Sequence, residues 1–151
     1  MKKLTEGTNW LSLLSVGFFF VLLGTILIVT PNLIEEVSAF VNPKNWHLQN
    51  VTDNIAFPEP KSSYPVLYTA VLQFSLIFGA LQVVILVLRF AFHESVNRKA
   101  DTVSGMAFWF SIGYFLYMLA SVSIPWFAFL AGIIISAGLA LLCSSIVKLF
   151  R

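Results

Sequence analysis

Charged side chains are scarce in this chain of 151 residues. Asp, Glu, Lys and Arg make up 11% of it and apolar residues 58%, whereas an average soluble domain is roughly 25% charged. A soluble fold of this length could not bury so much apolar surface, so the composition indicates that lipid is the solvent for much of the protein. The net charge of +2 and the lack of a dense basic run argue against a nucleic-acid partner.

Cysteine is nearly absent, which limits the chemistry that the chain can carry out. The single Cys143 rules out an intrachain disulfide and a CxxC redox pair, and its apolar surroundings favour a packing role over a reactive thiol. The segment from His93 to Asn97 begins like the zinc motif HExxH but lacks the second histidine. The other candidate metal or acid–base residues lack ligand spacing: His47, Glu35, Glu36, Asp53 and Glu59. We therefore expect no catalytic residue, cofactor or metal.

Long apolar runs are the dominant feature of the sequence. A hydrocarbon core of about 30 Å requires roughly 20 apolar residues in a helix. Four runs satisfy this length, at 11–30, 66–88, 103–122 and 126–147, and every charged side chain lies outside them. The predicted fold is an all-α membrane protein, a four-transmembrane-helix bundle in a single domain spanning 1–151. A cleaved signal peptide at the N-terminus is disfavoured because its apolar region would have only about 7–15 residues.

The distribution of Lys and Arg predicts the orientation in the membrane. Basic residues are enriched on the cytoplasmic side of membrane proteins. Only Lys44 and Lys61 belong to the loop at 31–65, whereas seven basic residues fall on the other side: Lys2, Lys3, Arg89, Arg98, Lys99, Lys148 and Arg151. We therefore expect both termini and the 89–102 loop in the cytoplasm, the 31–65 loop outside, and a location in the cell membrane.

The external loop contains a short helical pattern and a modification motif. Asn32 and Glu35 have capping-box spacing, and apolar residues then recur on one helical face. This pattern predicts an amphipathic helix at 32–42 on the membrane surface, or an extension of the first span past a kink at Pro31. Beyond Pro43 we expect an irregular, extended chain. Asn50 begins an N-glycosylation sequon, Asn50-Val51-Thr52, and is the candidate modification site.

Small residues recur at every fourth position of the fourth span. Lipid gives no hydrophobic drive for helix association, so close backbone approach at small residues must help to supply it. The pattern predicts a crowded helix interface, either inside the bundle or against another copy of the chain. The predicted packing residues are Ala128, Gly132, Ser136, Ala140 and Ser144.

A stripe of neutral polar residues marks the second and third spans. Tyr68, Ser75 and Gln82 follow one another at intervals of seven, which keeps them on one helical face. Ser111 and Tyr114 belong to a similar stripe on the third span. We interpret these side chains as packing contacts, with a pathway for a small neutral solute as the alternative.

The sequence resembles small, uncharacterised four-helix membrane proteins found in archaea. The resemblance rests on Thr30-Pro31-Asn32-Leu33-Ile34-Glu35-Glu36, and on Tyr68-Thr69-Ala70-Val71-Leu72-Gln73-Phe74 together with Arg89 near the end of the same span. This resemblance implies that the protein is located in the cytoplasmic membrane of a single-membrane cell. It implies no activity, because none is known for these proteins. Small multidrug exporters are excluded because the first span lacks the glutamate that they need.

The functional hypothesis follows from these features. We expect a non-enzymatic scaffold or accessory subunit, whose partners are the lipid bilayer and either copies of itself, through the fourth span, or other membrane proteins. The alternative is a transporter or channel for a small neutral or apolar solute.

Overall fold

The computed structural model describes residues 9–149. This part of the chain forms five α-helices and one two-stranded antiparallel sheet. In chain order the elements are α1 (Asn9–Val29), α2 (Leu33–Val41), a 3-10 turn (Pro43–Asn45), β1 (Trp46–Thr52), β2 (Ile55–Pro60), α3 (Pro65–Ala91), α4 (Val96–Ala120) and α5 (Trp126–Leu149). Lys2, Lys3 and Arg151, which contribute to the predicted orientation, lie outside the described residues.

Four of the helices are long and apolar enough to cross a membrane. The shortest, α1, has 21 residues and the longest, α3, has 27, which at a rise of about 1.5 Å per residue gives lengths of roughly 30–40 Å. The expectation of a predominantly helical fold with four long apolar helices is confirmed.

The long helices do not contribute equally to the packed interior. α3 packs along α4, and α4 packs along α5, so these three helices form one unit. α1 is only loosely attached to that unit. In its most apolar stretch 6% of the residues are buried, compared with 28% in that of α3. Leu22 of α1 packs against Phe74 and Phe78 of α3, and the Phe19 ring contacts the same two rings.

The two ends of the molecule are built differently. The hairpin end carries α2 and the two strands, together with the last residues of α1 and the first of α3. The opposite end, here called the turn end, carries the short connection from α3 to α4. That connection reverses the chain at His93, whose φ of 52° is left-handed, and the Glu94 N–H donates to the Arg89 carbonyl. These are features of the Schellman motif that closes helix C-termini.

α4 begins earlier than the hydropathy pattern indicated. The third apolar run begins at 103, but α4 begins at Val96 and Ser95 precedes it. Asp101 pairs with Lys148 of α5, and the Thr102 hydroxyl donates to the Arg98 carbonyl one turn earlier. Hydropathy detects the stretch suited to lipid, and the polar first turns of this helix fall outside that stretch.

α2 is a separate helix and not an extension of α1. Asn32 adopts a φ of 61°, so the chain changes direction between the two helices. The predicted capping box is wrong, because Asn32 makes no side-chain cap hydrogen bond, and a capping residue normally has an extended backbone. The location of α2 on the membrane surface stays a prediction.

The segment after Pro43 forms a β-hairpin, so the prediction of an irregular chain is wrong. β1 and β2 pair in antiparallel register from Trp46 opposite Pro60 to Thr52 opposite Ile55. Asp53 and Asn54 occupy the turn, where such residues are favoured. Pro58 and Pro60 are compatible with β2, because a two-stranded sheet gives each strand a free edge on which proline is tolerated.

Candidate functional site

The predicted packing residues of α5 lie inside the protein, against α4. Gly132, Ser136, Ala140 and Ser144 are buried, and Ala128 is half-buried. A Cβ atom on Gly132 would lie 2.5 Å from Cγ of Phe115 on α4. The Ser136 hydroxyl has no exposed surface and donates to the Gly132 carbonyl at 2.8 Å. The crowded interface that these residues form is therefore within one chain.

The polar stripe of α3 lies in the same packed region. Ser75 has no exposed surface, and its hydroxyl donates to the Val71 carbonyl at 2.8 Å. Its Cβ lies 3.7 Å from the position that a Cβ on Gly113 would occupy. Gln82 donates from Nε2 to the Ser15 hydroxyl of α1 over 3.4 Å. These two side chains join helices to one another.

The predicted stripe on α4 does not continue this surface. Ser111 is half-buried, whereas Tyr114 is 59% exposed and its ring contacts the neighbouring Phe115. Tyr68 lies at the hairpin end, where its ring stacks on Trp126 at 6.3 Å. The five stripe residues therefore face different surroundings and do not line one continuous path.

An aromatic cluster fixes the hairpin end to the helices. Phe40 of α2 lies at the centre of three edge-on ring contacts, to Trp46 at 5.0 Å, Tyr64 at 5.5 Å and Trp126 at 5.8 Å. The Trp46 indole N–H also donates to the Phe40 carbonyl at 2.6 Å. Aromatic rings of this kind are enriched where helices leave the membrane. The cluster joins α2, β1, α3 and α5.

A buried charge pair at the turn end escaped the sequence analysis. Arg89 Nε and Glu94 Oε2 lie 3.7 Å apart, with 11% and 2% of their side chains exposed. Arg89 also donates from Nη1 to the Arg98 carbonyl at 2.7 Å, which joins the end of α3 to α4. The available signal in the sequence was that Arg89 and Glu94 carry opposite charges within the predicted 89–102 loop. From the sequence alone, these residues were expected to be polar groups near the lipid headgroups.

The β-hairpin displays both the glycosylation motif and exposed apolar side chains. Asn50 is exposed on β1, next to the irregularity in the pairing between Asn50 and Thr52. Leu48, Val51 and Ile55 are also exposed. The hairpin is attached to α5 by Phe57, whose ring lies 4.9 Å from that of Phe127.

Several cavities open on the hairpin half of the molecule, and two of them lie between α1 and α3. One, of about 480 Å³, lies between the end of α1 and the beginning of α3 and includes Thr30, Thr69 and Gln73 in its lining. The other, of about 280 Å³, is lined only by apolar residues such as Leu23, Phe74 and Trp109. Of these two, the first offers hydrogen-bonding groups to a ligand.

Titratable and metal-binding groups remain scattered. Within residues 9–149 no three His, Cys, Asp or Glu side chains are placed to hold a metal ion. Glu36 is engaged with α3, where its Oε2 accepts from the Leu67 N–H at 2.8 Å. Cys143 is half-buried on α5.

The chain was compared with protein-family models, curated proteins and solved structures, and none of the three comparisons gives a match.

Proposed function

We propose that this chain is a multi-pass protein of the cytoplasmic membrane, with its termini and the α3–α4 turn in the cytoplasm. It acts as a non-enzymatic scaffold or accessory subunit that associates with membrane proteins, including copies of itself. The four long apolar helices support the membrane location, and the seven-to-two distribution of basic residues supports the orientation.

The observation that carries the proposal is the exposed apolar surface of the β-hairpin. Leu48 is 71% exposed, Val51 42% and Ile55 52%, and all three lie outside the four apolar helices. Leu48 lies opposite Pro58 and Ile55 opposite Thr52, so these two side chains are on opposite faces of the hairpin. Apolar groups exposed beyond the lipid-facing surface are available for contact with a partner. The hairpin is positioned by Phe57 against α5 and by Trp46 in the aromatic cluster, so it presents this surface as a fixed structural element.

The positions of the small and polar helix residues favour a packing role for them over the alternative of a transport pathway. Ser75 and Ser136 are enclosed and bonded within their own helices, and Tyr114 is exposed on another face. The α5 ladder is occupied by α4, so self-association through it would require α4 to be displaced. The hairpin is therefore the surface that we propose for partners.

Site-specific photocrosslinking in native membranes tests this proposal. A photoreactive residue at Leu48 should give discrete protein adducts, which mass spectrometry identifies as the chain itself or as a partner. The matched control is Leu141 on α5, which is 68% exposed and should face lipid. If Leu48 reacts with lipid alone, as Leu141 should, the hairpin lies on the membrane and the scaffold proposal is wrong.

A further inference from the structure

The cavity between α1 and α3 contains polar side chains that the protein itself does not satisfy. We call it the Gln73 niche. Its polar lining comes from Thr30, Thr69 and Gln73, and Val29, Pro31 and Val66 contribute to its apolar walls. Its volume of about 480 Å³ falls within the range of roughly 300–1,000 Å³ that small-molecule sites occupy.

Several polar side chains of the long helices form hydrogen bonds that the three polar side chains of the niche lack. The hydroxyls of Thr25, Ser75, Ser136 and Ser145 each donate to the carbonyl four residues earlier, and Gln82 bonds Ser15. Within residues 9–149, the side chains of Thr30, Thr69 and Gln73 have no such partner, and both Thr69 and Gln73 are exposed. An unsatisfied amide in a lipid environment is unfavourable, so a ligand with hydrogen-bonding groups would stabilise it.

The depth of the niche indicates which part of a lipid would meet these groups. Gln73 follows Pro65 by eight residues, which is about 12 Å along the helix axis. Side chains on a helix tilt toward its N-terminus, so the Gln73 amide reaches back toward Thr69 and the hairpin end. Tyr64, Tyr68 and Trp126 mark the interfacial level there. Just below that level a lipid presents its glycerol backbone, with ester or ether oxygens and hydroxyl groups.

The lining also indicates the charge of the ligand. None of the residues that line the niche is charged, whereas proteins bind phosphate with Arg or Lys. The Gln73 amide supplies both donors and an acceptor, and a threonine hydroxyl does the same. This combination suits a group that is itself a neutral donor and acceptor, which an anionic headgroup is not.

From these observations we propose that the Gln73 niche binds the glycerol backbone of a neutral glycerolipid from the leaflet at the hairpin end. Hydroxyl and ester or ether oxygens bond Gln73, Thr69 and Thr30, and the first methylenes of the chains contact Val29 and Val66. The end of α1 stands beside Gln73 and makes the site concave, which suits a lipid better than the convex face of a second helix. This inference rests on the membrane location in the proposed function.

Photolabelling of the full chain in detergent tests the proposal. The probe is a diacylglycerol with a photoreactive group near the glycerol, and unlabelled diacylglycerol and phosphatidylglycerol with matched chains are the competitors. We expect saturable labelling of the peptide containing residues 65–73, which diacylglycerol displaces at lower concentration than phosphatidylglycerol. Gln73→Leu should weaken binding by about threefold to tenfold, the effect expected from losing one or two hydrogen bonds.

Three further variants keep the result interpretable. Val84→Leu changes an exposed residue of α3 outside the niche and should leave labelling unchanged. Thr69→Val should weaken labelling, and Thr69→Ser, which keeps the hydroxyl, should retain it. Non-saturable labelling, equal labelling of the wild type and Gln73→Leu, or equal competition by both lipids would overturn the proposal. So would a Gln73→Leu variant that changes oligomer size but not labelling, because Gln73 would then contact a second copy.

The two proposals fail in different ways. If alkaline carbonate releases the chain from membranes, the membrane location is wrong and the proposed function fails with it. If the chain stays in the membrane and Leu48 gives protein adducts while the niche is not labelled, only the lipid site is wrong.

Discussion

Three glycines of this protein lie where one helix closely approaches the side chain of another. Gly79 faces Phe110, and Gly113 faces Leu76, each at 3.3 Å from the position that a Cβ would take. Gly132 is the tightest of the three, at 2.5 Å from the Phe115 ring. Because lipid provides no hydrophobic drive between helices, dispersion contacts of this kind hold α3, α4 and α5 together.

Gly132→Ala should destabilise the protein by about 1–3 kcal/mol, the usual effect of an extra methyl group in a packed interior. The added Cβ would meet the root of the Phe115 ring, which cannot rotate away without moving the ring itself. Thermal unfolding in detergent measures the effect. Gly138→Ala is the matched control on the same helix, since nothing lies within 4 Å of its Cβ position. Equal stability of the two variants would contradict the described packing of α5 on α4.

Two ion pairs lie at the turn end. Their charged atoms are equally far apart, but one pair is buried and the other is exposed. Arg89 and Glu94 are 3.7 Å apart with their side chains 11% and 2% exposed. Lys148 and Asp101 are also 3.7 Å apart, but 46% and 69% exposed. Water screens the exposed pair but not the buried pair. Removing one partner should therefore lower the stability much more in the buried pair.

Glu94→Gln should destabilise the protein by about 3–5 kcal/mol, because it leaves the Arg89 charge buried without its partner. Asp101→Asn, which breaks the exposed pair, should change the free energy of unfolding by less than about 1 kcal/mol. Chemical denaturation in detergent compares the two. The double variant Arg89→Met with Glu94→Leu should recover much of the lost stability. If Glu94→Gln is as mild as Asp101→Asn, the Arg89 charge is hydrated and the pair is not buried in solution.

α2 is too short to be stable by itself, and tertiary contacts hold it at both ends. Isolated helices below about 12–15 residues are marginal in water, and α2 has nine. Its Glu36 carboxylate accepts the Leu67 N–H and so caps the first turn of α3. Its last carbonyls, at Ala39 and Phe40, accept from the side chains of Asn45 and Trp46. α2 therefore connects the start of α3 to the base of the hairpin.

Glu36→Ala should loosen α2 and the first turn of α3, with a loss of about 0.5–2 kcal/mol, the range measured for helix caps. Hydrogen–deuterium exchange should show faster exchange in residues 33–41 and at the Leu67 amide. Glu35→Ala, at the adjacent exposed position, is the control and should leave exchange at Leu67 unchanged. Faster exchange in both variants would show that loss of negative charge in the first turn of α2, and not loss of the cap, is responsible.

The whole molecule consists of a three-helix unit, a loosely attached first helix and a folded hairpin at one end. α1 meets the unit along one side, through Leu22 and the bond from Gln82 to Ser15. Most of its surface is uncovered and apolar, as suits a helix in lipid. The hairpin projects from the opposite end to the Arg89–Glu94 pair, so the two ends would meet different sides of a membrane.

Cysteine accessibility measures the predicted orientation. In a Cys143→Ser background, Asp53→Cys in the hairpin turn should react with a membrane-impermeant maleimide on intact cells. Asn97→Cys at the start of α4 should react only after permeabilisation, because the distribution of basic residues predicts that this side lies in the cytoplasm. The opposite labelling pattern would reverse the orientation, and labelling of both sites in intact cells would contradict a four-span topology.

Apolar run length determined the main architecture, because a stretch such as 66–88 satisfies its backbone hydrogen bonds in lipid only as a helix. The spacing of small residues indicated which side of α5 packs closely, although not against what. The tertiary structure decided that the partner is α4 of the same chain, since the fit of Gly132 to Phe115 depends on how the helices are placed and not on spacing. It also decided the hairpin, whose strands need each other to form. The Arg89–Glu94 pair and the Gln73 niche depend in the same way on where separate segments meet. Local periodicity carries no information about those distances.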